Sequence, residues 1–255
     1  MQIGAITNYL DLAQVILYMF WLFFAGIIFY LVRENHREGY PMESDGLSRA
    51  VVQGWPIPSP KTFKLAHGGE VTVPDLKRGE PAIKLKRTGA APDLPYEPTG
   101  NPMVDGVGPG AYALRSDLPE VDVHGKAVIQ PLRALSGFGV SGNDPDPRGL
   151  QVTGADGKSG GKVVDLWVDT CEMMFRYIEI ETKSSTGTRR VLLPIPFARI
   201  SREGVTVKSI FGAQFAQVPG TKNAEQITLL EEDKISAYYG GGTLYAEPQR
   251  GEPIL

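Results

Sequence analysis

The stretch LAQVILYMFWLFFAGIIFYLV, from Leu12 to Val32, decides the class of this protein. It contains 21 residues, of which only Gln14 is polar and none is charged. As an α-helix it would be about 31 Å long, close to the thickness of the hydrocarbon core of a bilayer. Tyrosines and phenylalanines near both ends are typical of side chains at membrane interfaces. The sequence therefore predicts a transmembrane helix over residues 12–32.

A cleaved signal peptide and a buried soluble helix both fit this stretch less well. A signal peptide needs a basic start and a small-residue cleavage site, and the sequence has no Lys or Arg in residues 1–11 and no such site after the stretch. A buried helix of a soluble protein is disfavoured because the stretch is apolar on every face. Arg33 and Arg37 follow it, so the positive-inside rule places residues 33–255 in the cytoplasm and the N-terminus outside.

Composition excludes several classes of function. The chain has 26 Lys and Arg against 29 Asp and Glu, a net charge of −3, and no basic run that would bind nucleic acid. Its single cysteine, Cys171, excludes an internal disulfide, a CxxC pair and a cysteine-based zinc site. With only three histidines, a histidine-rich metal centre is excluded as well.

The region after the span is rich in proline, with 13 of the 20 prolines in residues 41–131. Such a region is extended or turn structure, because proline lacks the amide that a helix needs. We predict that residues 33–135 form an ordered extended segment on a partner surface, and that residues 136–160, rich in Gly, Asp and Pro, form a connector. Short strands are predicted in the extended segment at Thr62 to Leu65, Glu70 to Val73 and Ala82 to Leu85.

The pattern changes at Lys162, after which short β-type runs follow one another. These runs predict a small antiparallel sheet or barrel within a domain of residues 136–248, followed by a tail at 249–255. The predicted strands are Lys162 to Val168, Arg176 to Thr182, Arg189 to Leu193, Ile200 and Val205 to Ile210, with a turn at Ser184 to Gly187.

A short C-terminal helix follows these strands. Thr228 and Glu231 have the spacing of a capping box at its start. Ile235, Tyr238 and Tyr239 would share its buried face, and Gly240 to Gly242 would end it.

Motifs of common enzymes are incomplete. Gly157-Lys158-Ser159 lacks the earlier glycine of a phosphate-binding loop, since Val152 stands there, so a hairpin-like turn is expected. Asp144-Pro145-Asp146 is followed by Arg148 at the next ligand position of a calcium loop. No Gly-x-Ser-x-Gly sequence exists, so a covalent hydrolase is disfavoured.

Two groups of acids are candidates for proton transfer. Glu120, Asp122 and His124 alternate, and in an extended segment their side chains would share one face at about 7 Å spacing. Asp169, Glu172 and Glu179 are expected to cluster near the second strand pair. Acids with an imidazole can pass protons through water, since histidine changes charge near neutral pH. The residues alone favour a solvated acidic rim over such a path.

Six motifs, in order along the chain, resemble the H subunit of the purple-bacterial photosynthetic reaction centre, a PRC-barrel family. The resemblance extends from the span to about Pro248. The motifs are RENHREGYP (Arg33 to Pro41), PTGNPM (Pro98 to Met103), DGVGP (Asp105 to Pro109), DLPE (Asp117 to Glu120), GKVVDLWVD (Gly161 to Asp169) and TLLEEDKI (Thr228 to Ile235).

This resemblance implies one N-terminal transmembrane α-helix and a mainly antiparallel β cytoplasmic domain of PRC-barrel type with a short C-terminal helix. It implies no cofactor ligated by this chain. The L and M partner subunits would carry bacteriochlorophyll, bacteriopheophytin, quinones, non-haem iron and carotenoid. A cytochrome subunit, the light-harvesting antenna and membrane lipids are further partners. The implied location is the bacterial inner, intracytoplasmic membrane, with a periplasmic N-terminus.

The resemblance also implies a role without enzymatic activity. The chain would cap the cytoplasmic face of L and M, stabilise the complex and help to deliver protons to the secondary quinone. Glu172 matches the acid nearest the quinone's proton path, and Glu120, Asp122 and His124 match the region where protons enter. Asp169 and Glu225 match acids near the same water network.

One position departs from the family pattern. Lys126 stands where a second histidine can stand, and a protonated lysine has no acceptor. The departure weighs against a two-histidine proton antenna and a surface metal site.

Two rival functions remain. A single-pass membrane adaptor or assembly protein with a PRC-barrel would lack the proline-rich segment between span and barrel. A membrane-anchored enzyme is not supported, because the sequence offers no activated nucleophile, set of metal ligands or cofactor-binding loop.

Overall fold

The computed structural model describes residues 5–7, 10–40, 42–43, 51–52, 56–66, 68–75, 83–91, 94–185 and 187–250. The chain divides into two compact units. Unit 1 comprises residues 1–82 and 90–93, and unit 2 comprises residues 83–89 and 94–255. The predicted division between residues 135 and 136 stays a prediction.

Unit 1 is built on one long helix, α1 (Leu12–Asn35), preceded by the paired strands β1 (Ala5–Thr7) and β2 (Leu10–Asp11). The helix begins where the apolar stretch begins, because Asp11 accepts a hydrogen bond from the Gln14 amide and the Gln14 side chain accepts one from the Asp11 amide. It extends three residues past the predicted span, through Arg33 to Asn35. No residue of α1 is buried within the chain, so its apolar surface is free for lipid or another subunit.

The polar residues after α1 hold the next segments of unit 1. Arg37 pairs with Glu34 and donates hydrogen bonds to the carbonyls of Ser59 (2.9 Å) and Val73 (3.2 Å). The His36 ring nitrogen Nδ1 lies 2.8 Å from the carbonyl oxygen of Pro56. These bonds tie the end of the helix to the segments that flank a hairpin.

The remaining strands of unit 1 are short antiparallel pairs. β3 (Met42–Glu43) pairs with β4 (Val51–Val52), and β5 (Lys61–Lys64) pairs with β6 (Glu70–Val73). The second pair confirms the two strands predicted there. The third predicted strand, Ala82 to Leu85, is wrong, because Ile83 and Lys84 are not in a strand and the observed strand begins at Leu85. Ala82 lies outside the described residues.

Unit 2 starts with the hairpin of β7 (Leu85–Arg87) and β8 (Tyr96–Pro98), followed by the short helix α2 (Pro102–Asp105) and a 3₁₀ turn at Gly108–Gly110. Pro102 stands at the first helical position, where its missing amide costs nothing. The predicted extended segment is extended only in part, because it contains short hairpins and a helical turn, and its residues Ile129–Pro131 form a strand of the sheet of unit 2.

A seven-stranded sheet forms the body of unit 2. The strands are β9 (Ile129–Pro131), β10 (Gln151–Thr153), β11 (Ser159–Asp169), β12 (Met174–Ser184), β13 (Gly187–Pro194), β14 (Ala198–Ile200) and β15 (Val205–Val207). Their order in the sheet is β13-β12-β11-β10-β15-β14, and β9 pairs with the end of β11. All pairs are antiparallel except β10 with β15.

The core lies between this sheet and the last helix, α3 (Leu229–Tyr245). Thr228 accepts a hydrogen bond from the Glu231 amide, and the Glu231 carboxylate accepts one from the Thr228 amide, so the predicted capping box is confirmed. The predicted buried face of Ile235, Tyr238 and Tyr239 is also confirmed, since each is at most 1% exposed.

The predicted end of α3 at Gly240 to Gly242 is wrong, because the helix continues to Tyr245. The glycines serve close packing instead. A Cβ on Gly241 would lie 2.9 Å from the Cα of Gly110, and one on Gly242 would overlap Ile210. Glycine lets two backbones approach where any side chain would clash.

The predicted connector at 136–160 is wrong in part, because it contains β10 and the start of β11. A three-residue strand gives too little alternation to be recognised. The turn between β10 and β11 holds Gly157 with φ 70°, which confirms the hairpin-like turn expected there.

The predicted fold class is confirmed: one apolar N-terminal helix, a mainly antiparallel β domain and a short C-terminal helix. The last described residues, Pro248–Arg250, form a 3₁₀ turn, and the rest of the predicted tail lies outside the described residues.

Candidate functional site

The turn between β11 and β12 presents Glu172. Asp169, the last residue of β11, is buried, and its Oδ1 accepts hydrogen bonds from the amides of Cys171 (3.0 Å) and Glu172 (2.9 Å). This Asx-type cap explains the sharp turn. The turn closes at Met173 with φ 57°, a left-handed conformation that is rare for a residue with a side chain.

Glu172 projects from this turn into solvent, with its side chain 59% exposed in the chain alone. Its carboxylate lies 3.5 Å from Nη1 of Arg176 on β12. An exposed pair of this kind adds little to stability. The acid is therefore available for another role.

The segment holding Glu120, Asp122 and His124 is a turn, so the predicted extended arrangement with a shared face is wrong. The Asp122 Oδ1 accepts hydrogen bonds from the amides of His124 (2.8 Å) and Lys126 (2.9 Å). A backbone bond from the Asp122 amide to the Lys126 carbonyl closes the turn. We call residues 117–128 the acidic loop.

The charge of Asp122 is stabilised by this turn. The hydrogen bond from the Lys126 amide, opposed by burial and aided by the His124 amide, lowers the pKa of Asp122 below its ordinary value. His124, Glu120 and Lys126 are exposed around it. The loop therefore carries a fixed negative charge beside an accessible imidazole.

One residue joins the acidic loop to the β11–β12 turn. The Val128 amide donates to the Glu120 carbonyl (2.9 Å). The Val128 carbonyl accepts from both the amide (3.0 Å) and the hydroxyl (2.9 Å) of Thr170. Two groups of acids distant in sequence thus lie at the same end of the sheet.

A further acid at this end, Glu232 in the first turn of α3, was missed by the sequence reasoning. It is 9% exposed, and its Oε2 accepts a 2.8 Å hydrogen bond from the Tyr177 hydroxyl. Burial raises the pKa of Glu232, with Tyr177, Arg176 and Arg115 acting in the opposite direction. Glu232 also senses the charge of Glu120, which raises its pKa further.

The hydrogen bond between Tyr177 and Glu232 also affects the phenol of Tyr177. Burial, followed by the neighbouring Glu232 charge, raises the pKa of Tyr177, which stays protonated as a donor.

The sequence did contain a signal for Glu232. Its carboxyl stands three residues before Ile235, on the predicted buried face of the helix.

Glu179 does not belong to this group, so its expected clustering with Asp169 and Glu172 is wrong. The register pairs Glu179 with Asp165, whereas Asp169 pairs with Met174. Its buried carboxylate contacts Arg133, accepts from Trp167 Nε1 (3.0 Å) and lies 3.4 Å from Arg190. The charge of this buried carboxylate is compensated by partners within the sheet, away from the β11–β12 turn.

Glu225 is exposed in the turn before α3, where its amide donates to Asn223 Oδ1 (2.8 Å). Among the described residues, no group of three or more His, Cys, Asp and Glu side chains is arranged to hold a metal ion.

Comparison with known families gives two matches along the chain. The model described as "Photosynthetic reaction centre, H-chain N-terminal region" matches residues 4–134, and the PRC-barrel domain model matches residues 143–214. The first match alone covers more than half of the 255 residues. The chain belongs to the reaction-centre H-chain family. The predicted resemblance is therefore confirmed.

H chains are structural subunits of the reaction centre and do not themselves ligate its pigments, so this H chain associates with that complex. In the described part of the chain, α1 is the one helix long and apolar enough to cross a membrane. Together with the family, this helix fits a single-pass membrane protein.

Proposed function

We propose that this chain caps the cytoplasmic face of the L and M subunits, stabilises the complex and delivers protons toward the secondary quinone that those subunits hold. The observation that supports proton delivery is the link through Val128, which holds the acidic loop beside the β11–β12 turn. This link brings the His124 imidazole, the Asp122 carboxylate and the exposed Glu172 to one surface.

Each acid has a role that follows from its surroundings. Glu120, Asp122 and His124 take up protons from water, because a fixed negative charge raises the local proton concentration. Glu172 passes protons on, and the buried Asp169 positions it by capping its turn. Glu232 holds a proton to higher pH than an exposed glutamate, because it is desolvated. Glu225 adds negative charge as an exposed acid.

Two exposed apolar side chains mark where a partner would cover this end of the sheet. Val123 at the tip of the acidic loop is 95% exposed, and Met173 beside Glu172 is 71% exposed. Large apolar side chains this accessible are typical of contact surfaces. Covering them would also shield Glu172 from bulk water, as proton transfer to a buried quinone requires.

The proposal includes the setting of the chain. Residues 1–11 lie in the periplasm, residues 12–32 cross the bacterial inner membrane, and residues 33–135 lie as an extended segment on the partner surface in the cytoplasm. Residues 136–248 form the PRC-barrel domain. The partners carry the pigments, quinones, non-haem iron and carotenoid, and a cytochrome subunit, the antenna and lipids adjoin the complex.

Purification through a tag on this chain tests the capping role. The detergent-solubilised complex should show bacteriochlorophyll and bacteriopheophytin absorbance that bleaches reversibly on a flash. The double variant Val123→Asp and Met173→Asp should carry less pigment per chain. The matched control Ala155→Asp and Thr188→Asp should not, because these exposed residues lie near the β10–β11 and β12–β13 turns, at the opposite end of the sheet. A colourless wild-type preparation would favour an adaptor protein and reject the proposal.

A further inference from the structure

A cavity of about 310 Å³ in unit 2 lies apart from the acidic loop and the β11–β12 turn. It is formed by the β14–β15 hairpin, the 3₁₀ turn Ile195–Phe197 before it and the C-terminal half of α3. Its size is at the lower end of the range for small-molecule pockets. Arg199 and Lys208 line it, and the lining contains no carboxylate.

The strand register explains why these cations lie together. Arg199 on β14 is the direct partner of Thr206 on β15, and Lys208 follows two residues after Thr206, on the same face. Thr206 of β15 and Thr243 of α3 also line the cavity, and each adds a hydroxyl. A cation pair with adjacent hydroxyls is the donor set that a phosphate group requires.

Arg199 differs from most arginines of unit 2. In the described residues of that unit, the side chains of Arg199 and Arg202 have neither an ion pair, a hydrogen bond nor an aromatic partner. The others contact acids, backbone carbonyls or aromatic rings: Arg87, Arg115, Arg133, Arg148, Arg176, Arg189, Arg190 and Arg250. Arg202 lies in the exposed turn between the two strands, whereas Arg199 faces the cavity.

The floor of the cavity is suited to an organic group. Phe197, which stacks on Tyr239 with ring centroids 5.8 Å apart, lines it together with Pro196 and Ala198. Ser209 also lines it, and its Oγ is buried without a hydrogen-bond partner among the described residues. The cavity therefore offers an apolar surface beside its two cations.

We infer that this cavity binds a phosphate monoester, with the phosphate between Arg199 and Lys208 and the organic group on Phe197. A monoester carries a charge between about −1.5 and −2 at neutral pH, which matches two cations that have no ion-pair partner in the described part of the chain. The ligand is either a soluble metabolite or the headgroup of phosphatidic acid, since both present the same group.

Binding of phenyl phosphate to the full chain in phosphatidylcholine nanodiscs, followed by calorimetry, tests the soluble source. Native mass spectrometry of chain purified from nanodiscs containing phosphatidic acid tests the lipid source. The double variant Arg199→Gln and Lys208→Gln should weaken binding by about tenfold or more, because each charged hydrogen bond contributes to affinity. The control Arg202→Gln and Lys183→Gln removes the same charge from exposed sites outside the cavity.

Loss of binding in the first variant but not in the control supports the inference, and the arm that shows it identifies the source. The inference is overturned when neither probe binds, or when the control loses binding equally. Neither result bears on the capping or proton-delivery roles, which rest on other residues.

Discussion

At the scale of single residues, the burial of Glu232 makes the stability of the folded chain depend on pH. Its pKa is raised in the folded chain, so the folded state favours the protonated form. The stability from this group is present in full below its ordinary pKa of 4.5 and is lost as the pH rises through the raised value. Glutamine mimics the protonated carboxyl and still accepts from Tyr177.

We therefore expect the Glu232→Gln variant to lose less stability than wild type as the pH is raised from about 5 to about 8. Thermal unfolding of the full chain in detergent, followed by near-ultraviolet circular dichroism, measures the difference. Glu203→Gln, an exposed acid in the β14–β15 turn, should follow the wild-type profile. A Glu232→Gln profile parallel to wild type would show that Glu232 is not desolvated.

The stability contributed by Asp122 depends on pH with the opposite sign. Its pKa is lowered, so its contribution is present above the ordinary value of 3.8 and is lost as the pH falls through the lowered value. Asp122→Ala should remove the acceptor for the Lys126 and His124 amides and open the acidic loop. Hydrogen exchange of a peptide covering residues 121–128 should become faster at neutral pH. Asp144→Ala, in an exposed loop, should leave that peptide unchanged.

At the scale of elements, alanine substitutions of the glycines in α3 distinguish the cost of a packing clash from the gain in helix propensity. Gly241→Ala should destabilise unit 2 by about 1–3 kcal/mol, because its Cβ would lie 2.9 Å from the Gly110 backbone. Gly240→Ala is the matched control, since its Cβ would be 3.6 Å from the nearest atom, the Pro109 carbonyl oxygen.

Alanine at position 240 should stabilise the helix by up to about 1 kcal/mol. Urea unfolding of the full chain gives both values. If both variants shift stability in the same direction, the close approach of α3 to Gly110 is not as the structure has it.

Elements with a local signal were predictable from the sequence. The apolar run of α1 and the Thr228–Glu231 capping box need only neighbouring residues to be recognised. The places of Glu179 and Glu232 depend on strand register and on which helix face packs inward, and these are properties of the tertiary fold. The turn at Asp122 depends on one side chain capping its own backbone, which competes with an extended conformation.

At the scale of the whole molecule, the sheet brings together acids that are some 50 residues apart in sequence, and leaves apolar side chains exposed beside them. A subunit without pigment ligands of its own can influence a redox reaction in this way, since supplying protons requires only placed acids and water. We propose that Glu172 is the acid of this chain that carries protons toward the quinone.

Flash-induced absorbance kinetics of the second electron transfer to the quinone test this role, measured in the whole complex over about pH 6 to 9, because the rate of a proton-coupled step depends on pH. Complexes carrying Glu172→Gln and Glu203→Gln are compared with wild type. If Glu172 carries these protons, the proton-coupled transfer should be slower in Glu172→Gln alone, with pigment content unchanged. Identical kinetics in all three complexes across this range would contradict it.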